Sequence, residues 1–294
     1  MVNEGFVRVP GGQVYYREVG EGGTPLLCLH GGPGMGHDYI EALEDLADER
    51  RVVFYDQLGC GRSERPDDPS LWTVGRSVDE LIHVREALNL TSCHLFGSSW
   101  GGMLALSYVL DHRPSLVSLT LASSPGSVPR LVEECAALRK ELPIETQRTL
   151  DFHEETGFLE CPEYIGAAAQ FYRRHLCRMN PWPEGLERTF AGMGLQVYRT
   201  MYGPTEFTAT GNLKDWDIMD RLGAITIPTL VTVGRYDEVQ PQHAEAMAQR
   251  IPGAELVIFE ESAHLAFEEE RSAYMATMRA FLRRTELRAD SATA

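Results

Sequence analysis

Between Thr91 and Asp111 the chain reads TSCHLFGSSWGGMLALSYVLD, and this stretch constrains the fold more than any other. The run Ser92 to Phe96 is mostly apolar and strand-like, and Met103 to Leu110 is apolar and helix-like. Between them, Gly97-Ser98-Ser99-Trp100-Gly101 matches the pattern G-x-S-x-G with Ser99 at its centre. A serine so placed sits on a strained strand-to-helix turn that presents its hydroxyl at the sheet edge. The small residues on either side, Gly97 and Gly101, let the strand and helix backbones approach closely. Ser98 does not fit the centre, because Phe96 would then fill a position that needs a small residue.

The rest of the chain alternates strand and helix around this turn. Residues 5–19 read as a hairpin turning at Gly11-Gly12. Strands are expected at 25–29, 51–55 and 117–122, with helices at 37–46 and 74–88. The alternation predicts a mostly parallel sheet flanked by helices and joined by right-handed crossovers. It stops after Ser124. From 125 to 216 no core strand is evident, and LVEECAALRKEL, EYIGAAAQFYRRHL and LERTFAGMGLQVYRTMY are helix-forming. The expected division is a core domain of residues 1–124 and 217–294 and a helical cap domain of 125–216. Strands return at 228–233 and 255–259, with a helix over 240–250 between them. A last helix is expected over 265–284, followed by a frayed polar tail from Thr285.

With 294 residues, 43% hydrophobic and 24% charged, the composition is that of a soluble globular protein. The net charge of −16 argues against nucleic acid and anionic membranes as partners, both of which need basic surface. The amino terminus carries no secretory pattern, and no apolar run reaches membrane-span length. The six cysteines form no C-x-x-C pair, so free thiols in a reducing cytoplasm are expected. No metal-ligand spacing such as H-E-x-x-H and no phosphate loop is present, so neither metal nor cofactor is expected. The oligomeric state is open; a monomer is compatible with the sequence.

A serine hydroxyl becomes a nucleophile only when a base takes its proton and a third group orients that base. On this kind of sheet the partners follow in the order Ser, Asp or Glu, His, in loops at the carboxyl ends of strands. The strand at 228–233 runs into Gly234-Arg235-Tyr236-Asp237-Glu238, and that at 255–259 into Glu260-Glu261-Ser262-Ala263-His264. Asp237 and His264 are therefore the candidates. The other histidines considered lie on helices (His83, His112), inside the 92–96 strand (His94) or in the cap (His153, His175). The glycine-rich loop His30-Gly31-Gly32-Pro33-Gly34 is suited to supply one backbone donor of an oxyanion hole, with the N–H of Trp100 as the other.

HGGPG at 30–34, DQLGCGRS at 56–63, GSSWGG at 97–102, GPTEFTATG at 203–211, GRYDEV at 234–239 and SAH at 262–264 together resemble the proline iminopeptidase family of α/β-hydrolases, most of all its tricorn-interacting aminopeptidase type. The resemblance implies an α/β-hydrolase fold with an inserted cap. It implies a Ser99, Asp237 and His264 triad and an oxyanion hole of Gly32 and Trp100. It also implies that Glu206 and Glu238 hold a substrate's free amino terminus. Read alone, these two would pass for ordinary solvated acids. The substrate expected is a small peptide or an aminoacyl amide, losing proline or another amino-terminal residue through an acyl-enzyme. Competing readings are an amino-acid amidase or a hydrolase that de-aminoacylates a natural product, a carboxylesterase without amino-terminus recognition, and a ligand receptor on a hydrolase fold. The stretch Asn180-Pro181-Trp182-Pro183 and the aromatic-rich cap helices either shape the side-chain pocket or form the core of the cap. Cys60, in the DQLGCGRS loop, either stands near the site, where thiol reagents would obstruct it, or is a buried inert cysteine.

Overall fold

The computed structural model describes residues 1–293, with side chains as far as Arg288. Eight strands form one sheet: β1 (Val2–Val9), β2 (Gly12–Val19), β3 (Leu26–Leu29), β4 (Val52–Tyr55), β5 (His94–Ser98), β6 (Ser118–Ala122), β7 (Thr229–Gly234) and β8 (Glu255–Phe259). Their order is β1-β2-β4-β3-β5-β6-β7-β8. The hairpin β1–β2 is antiparallel and joins β4 antiparallel, and every later pairing is parallel. Strands β3 to β7 are buried along their whole length, as the near-continuous apolar runs of a sheet covered on both faces require.

The helices are α1 (Val74–Ala87), α2 (Trp100–His112), α3 (Val128–Arg139), α4 (Ile144–Thr156), α5 (Pro162–His175), α6 (Glu184–Ala191), α7 (Leu195–Met201), α8 (Pro241–Arg250), α9 (Ala266–Glu269) and α10 (Arg271–Thr293). Thr73 caps α1 and Ser127 caps α3 by accepting from the backbone N–H three residues on. One apolar layer packs residues of α1, α2 and α8 against the sheet and continues into α3, α4 and α5. The opposite layer holds Phe96, Phe267, Tyr274, Met278 and Phe281 under α9 and α10. Helices α3 to α7 all fall between β6 and β7, which places the insertion above the carboxyl ends of the parallel strands.

The structure departs from the expected elements at four places, the first being the last helix, expected unbroken over 265–284 but divided into α9 and α10 at Glu270. Residues Asp38–Leu46 form 3-10 turns rather than an α-helix. The entrance to this segment is tied to Asp56 through His37, and Tyr39 N donates to Thr189 Oγ1 of α6. The stretch LERTFAGMGLQVYRTMY breaks into α6 and α7 at Gly192-Met193-Gly194, where Gly194 N donates to Gly34 O at 2.7 Å and fastens the insertion to the 30–34 loop. The tail is not frayed from Thr285: α10 continues to Thr293, Thr285 is buried, and Glu286 pairs with Arg50 at 2.7 Å. Ala294 lies outside the described residues. Among the described residues no helix is long and apolar enough to cross a membrane.

Candidate active site

Strand β5 turns into α2 at Ser99, whose φ of 54° and ψ of −122° lie where an L-residue is strained by about 1–3 kcal/mol. The turn is over-determined by its surroundings. Ser99 N donates to Ala122 O of β6 at 2.9 Å. A Cβ at Gly97 would strike the backbone of Gly101, and one at Gly101 would strike Leu29 O of β3. No residue larger than glycine fits at either position without moving a strand, which is the close approach expected from the motif.

The loops after β7 and β8 bring Asp237 and His264 together. His264 Nδ1 lies 2.7 Å from Asp237 Oδ1, and that oxygen also accepts from Val239 N at 2.9 Å. Both side chains are buried. The backbone of His264 is held by Ser123 Oγ, just past β6, which donates to His264 O at 2.9 Å. Bonding at Nδ1 leaves Nε2 as the ring nitrogen free for a serine hydroxyl. Ser99 and His264 line one small cavity of about 20 Å³, together with Gly32, Met35, Tyr39, Leu176, Glu206 and Glu238.

The two glycine-rich loops interlock beneath this cavity. Gln57 N donates to His30 Nε2 at 2.9 Å, and Gln57 Nε2 donates to His30 O at 3.0 Å. Gln57 Oε1 accepts from Trp100 Nε1 at 2.8 Å. Asp56 Oδ1 accepts from His37 N and faces His37 Nδ1, both at 2.8 Å, while its Oδ2 accepts from Arg62 N. His30 uses Nδ1 on Gly31 O and is buried, and burial lowers its pKa, so it is a neutral strut. Gly32, at φ 110°, and the first turn of α2 are thus fixed against each other. The backbone N–H of Trp100, the first residue of α2, is one of the donors that a helix start leaves without an intrahelical partner.

Glu206 and Glu238 arrive from different elements. Glu206 follows α7; its Oε1 accepts from Tyr198 OH at 2.6 Å, and its carbonyl accepts from Tyr202 OH at 2.8 Å. Glu238 follows Asp237, and its N–H donates to His175 O of α5 at 3.2 Å. Glu238 Oε1 stands 3.8 Å from His264 Nδ1, whereas Glu238 Oε2 and Asp237 Oδ2 are buried with no hydrogen-bond partner. Burial raises the pKa of both glutamates, and the charge of Glu206 raises Glu238 further. Burial alone would lower His264, but Asp237, Glu238 and Glu206 outweigh it and push the imidazole up to about 9. No lysine or arginine lines the cavity. The arrangement is a small acidic hole beside a serine and a histidine, chemically suited to a cation.

For two open alternatives the structure favours one side. Cys60 is 1% exposed and its Sγ turns to Leu58 O, inside the apolar layer and away from the cavity. Burial raises its thiol pKa and so disfavours the thiolate on which thiol reagents act. Residues 180–183 do not reach the cavity around Ser99: Asn180, Pro181 and Trp182 line a separate surface hollow with Arg173 and Arg178. Trp182 stacks on Phe190, with ring centroids 5.7 Å apart. The residues that do close the cavity, Tyr39, Leu176 and Leu186, and Tyr198 beneath Glu206, were not singled out from the sequence. An apolar residue in a cap helix carries no mark of whether it faces a core or a site.

Among known proteins, residues 24–271 match the family model described as the alpha/beta hydrolase fold. A proline iminopeptidase of Saccharolobus solfataricus is 41% identical over 286 residues, covering 96% of this chain and 92% of that protein. The crystal structure of a proline iminopeptidase from Mycobacterium smegmatis superposes with a TM-score of 0.90 at 36% identity, covering 98% of this chain and 100% of the other. The crystal structure of VinJ superposes with a TM-score of 0.93, also at 36% identity, over 96% and 99% of the two chains.

Proposed function

Since the chain belongs to the proline iminopeptidases within the α/β-hydrolases, we propose that Ser99, His264 and Asp237 carry out acyl transfer on an amino-terminal residue whose ammonium is held by Glu206 and Glu238. The enzyme is a serine aminopeptidase that releases amino-terminal proline from peptides. The observation that carries the assignment of the site is the pair of carboxyl groups, Glu238 buried and Glu206 half-buried, in the same small cavity as Ser99 and His264, with one carboxylate oxygen left without a partner.

Ser99 Oγ attacks the carbonyl of the amino-terminal residue while His264 Nε2 takes its proton. Asp237 holds Nδ1–H and stabilises the imidazolium that forms. The oxyanion is received by the backbone N–H groups of Gly32 and Trp100. His264 then returns the proton to the leaving amine, and water hydrolyses the acyl-enzyme by the reverse sequence. Glu206 and Glu238 reject an internal peptide bond, because a neutral amide would leave buried carboxylates unpaired. We read residues 125–216 as the cap domain that supplies Glu206, and 1–124 with 217–294 as the core domain that supplies the triad. The family to which the chain belongs makes amino-terminal proline the expected preference. A series of free aminoacyl anilides tests this: proline is expected to give the highest kcat/KM, and a preference for a large side chain would refute it.

The remainder of the substrate has room on one side. A cavity of about 330 Å³ shares Met35, Leu176 and Glu206 with the small one and is lined mainly by apolar residues, among them Ile165, Phe190 and Met193. In this reading it receives the leaving group. Met193→Glu is expected to raise KM roughly ten- to hundred-fold for a prolyl substrate with a large apolar leaving group, on the scale of one lost apolar contact and one introduced charge, and to leave prolinamide nearly unchanged. Equal effects on both substrates, measured as KM in parallel, would count against the assignment. The six unpaired cysteines, five of them buried, suit a reducing compartment, and we place the enzyme in the cytoplasm.

A further inference from the structure

We infer that Arg199, on the far side of the leaving-group cavity, binds the free carboxylate of the peptide that follows the released residue, so that the site is built for short peptides charged at both ends. The inference rests on the reading above and adds a second charge contact, across the scissile bond from Glu206 and Glu238.

The lining of the 330 Å³ cavity carries three charged residues, Glu206, Glu160 and Arg199, among mainly apolar ones. Glu206 belongs also to the small cavity that holds Ser99 and His264. Glu160, in the loop between α4 and α5, and Arg199, on α7, do not. They line instead a neighbouring surface hollow of about 540 Å³, which shares Leu159 and Pro204 with the apolar cavity. The pair therefore marks the side of the cavity away from the nucleophile. Among the described residues, Arg199 is the one basic residue in the lining. Its guanidinium is available to a ligand. The side chain is 52% exposed, and its one polar partner among the described residues is the Glu160 carboxylate, itself 76% exposed. Other arginines of the insertion are held more fully: Arg139 by Asp151 and Glu154, and Arg188 by Asp38 and Glu41. A guanidinium offers five donors in a planar fork that matches a carboxylate, so one partner does not exhaust it. An ion pair this open to water contributes little, and a substrate carboxylate joins or replaces Glu160 with little loss.

The charges of a short unblocked peptide match this lining. Its ammonium meets Glu206 and Glu238, and its carboxylate meets the one cation of the adjoining cavity. The apolar side chains of its middle residues meet Phe190, Met193, Ile165 and Leu195. Ile165 and Leu195 are 57% and 53% exposed, an apolar rim that an amide or anilide of proline alone would leave largely uncovered. On a chain with a net charge of −16, the general field repels a peptide carboxylate, so a local cation decides whether that end is tolerated. Arg199 thus favours a leaving group with a free carboxyl end over one whose end is amidated or extended.

The test measures KM for proline followed by one, two or three leucines, each peptide as the free acid and as the carboxy-terminal amide. At the length that reaches Arg199, Arg199→Gln is expected to raise KM for the acid roughly three- to fivefold, the scale of one half-exposed charge pair, and to leave the amide unchanged. Glu160→Gln acts in the opposite direction and lowers KM for the acid by about twofold, because it removes the competing carboxylate. Arg221→Gln loses the same charge from an ion pair with Asp111 at a separate hollow, and should leave the acid-to-amide ratio where it is in wild type. A reading independent of turnover uses calorimetry on Ser99→Ala: adding Arg199→Gln to it should weaken binding of the acid and not of the amide. An acid-to-amide ratio unmoved by Arg199→Gln at all three lengths, or an equal rise for acid and amide, overturns the inference. Met193→Glu separates this from failure of the reading beneath it. If the cavity receives the leaving group, Met193→Glu raises KM for acid and amide alike; if it raises neither, the leaving-group assignment itself has failed.

Discussion

Ser99→Ala lowers kcat on a prolyl anilide by roughly three to six orders of magnitude, the range found when a triad nucleophile is removed and binding and the oxyanion hole remain. The loss is in chemistry. Ser99 sits at φ 54° because β5, β6 and the start of α2 hold it there, and alanine inherits the same turn. The variant should fold with an unchanged Tm and bind prolinamide as wild type does. A neutral fluorophosphonate should label wild type once, at Ser99, as located by peptide mass spectrometry, and should not label the variant. Turnover near wild type, or a label on another residue, would contradict the assignment.

Glu206→Gln and Glu238→Gln each lower kcat/KM for free-amine substrates by roughly 10²- to 10³-fold, the scale of losing one member of a buried charge-assisted contact, while a small neutral ester is spared. Their effect on the fold has the opposite sign. Both carboxyls have pKa values raised in the folded state, chiefly by burial and, for Glu238, next by the charge of Glu206. A carboxyl raised on folding adds stability only at pH below its unfolded value, near 4.5, and costs stability as pH rises through and beyond that value. At pH 7 each Gln variant should therefore be more stable than wild type, by about 0.5–2 kcal/mol, with the gain fading toward pH 4. A residue that merely held the cap in place would lose stability on substitution, so chemical denaturation at the two pH values separates the readings. The free-amine substrate should also lose activity in alkali as its own ammonium, with an ordinary pKa near 8, deprotonates, and the ester should not.

The parts of this site that are local in sequence were legible there. The turn at Ser99 is written in Gly97 and Gly101, and Asp237 and His264 stand out because each follows an apolar run by a few residues. Glu206 and Glu238 were legible only through the resemblance of whole motifs. Their burial comes from α5 and α7 closing over the sheet edge, a non-local event that no short window encodes. The same reason hid Tyr39, Leu176 and Leu186. Gln57 lay inside a conspicuous motif, yet its role appears only when Trp100 and His30 are seen to share its amide. Helix ends failed where tertiary bonds override propensity: at His37, tied to Asp56, and past Thr285, a buried residue of α10 whose neighbour Glu286 pairs with Arg50.

The central claim is that the carboxylates of Glu206 and Glu238 make a free amino terminus the condition for attack by Ser99. It is tested most directly by one matched pair of substrates, L-proline p-nitroanilide and its N-acetyl derivative, with kcat/KM measured at pH 7.5, an assay condition chosen near the expected substrate ammonium pKa of about 8. The free amine should be cleaved at least roughly a thousandfold faster, since the acetylated compound leaves Glu206 and Glu238 unpaired in the small cavity they share with Ser99. Comparable rates on the two compounds would contradict the account.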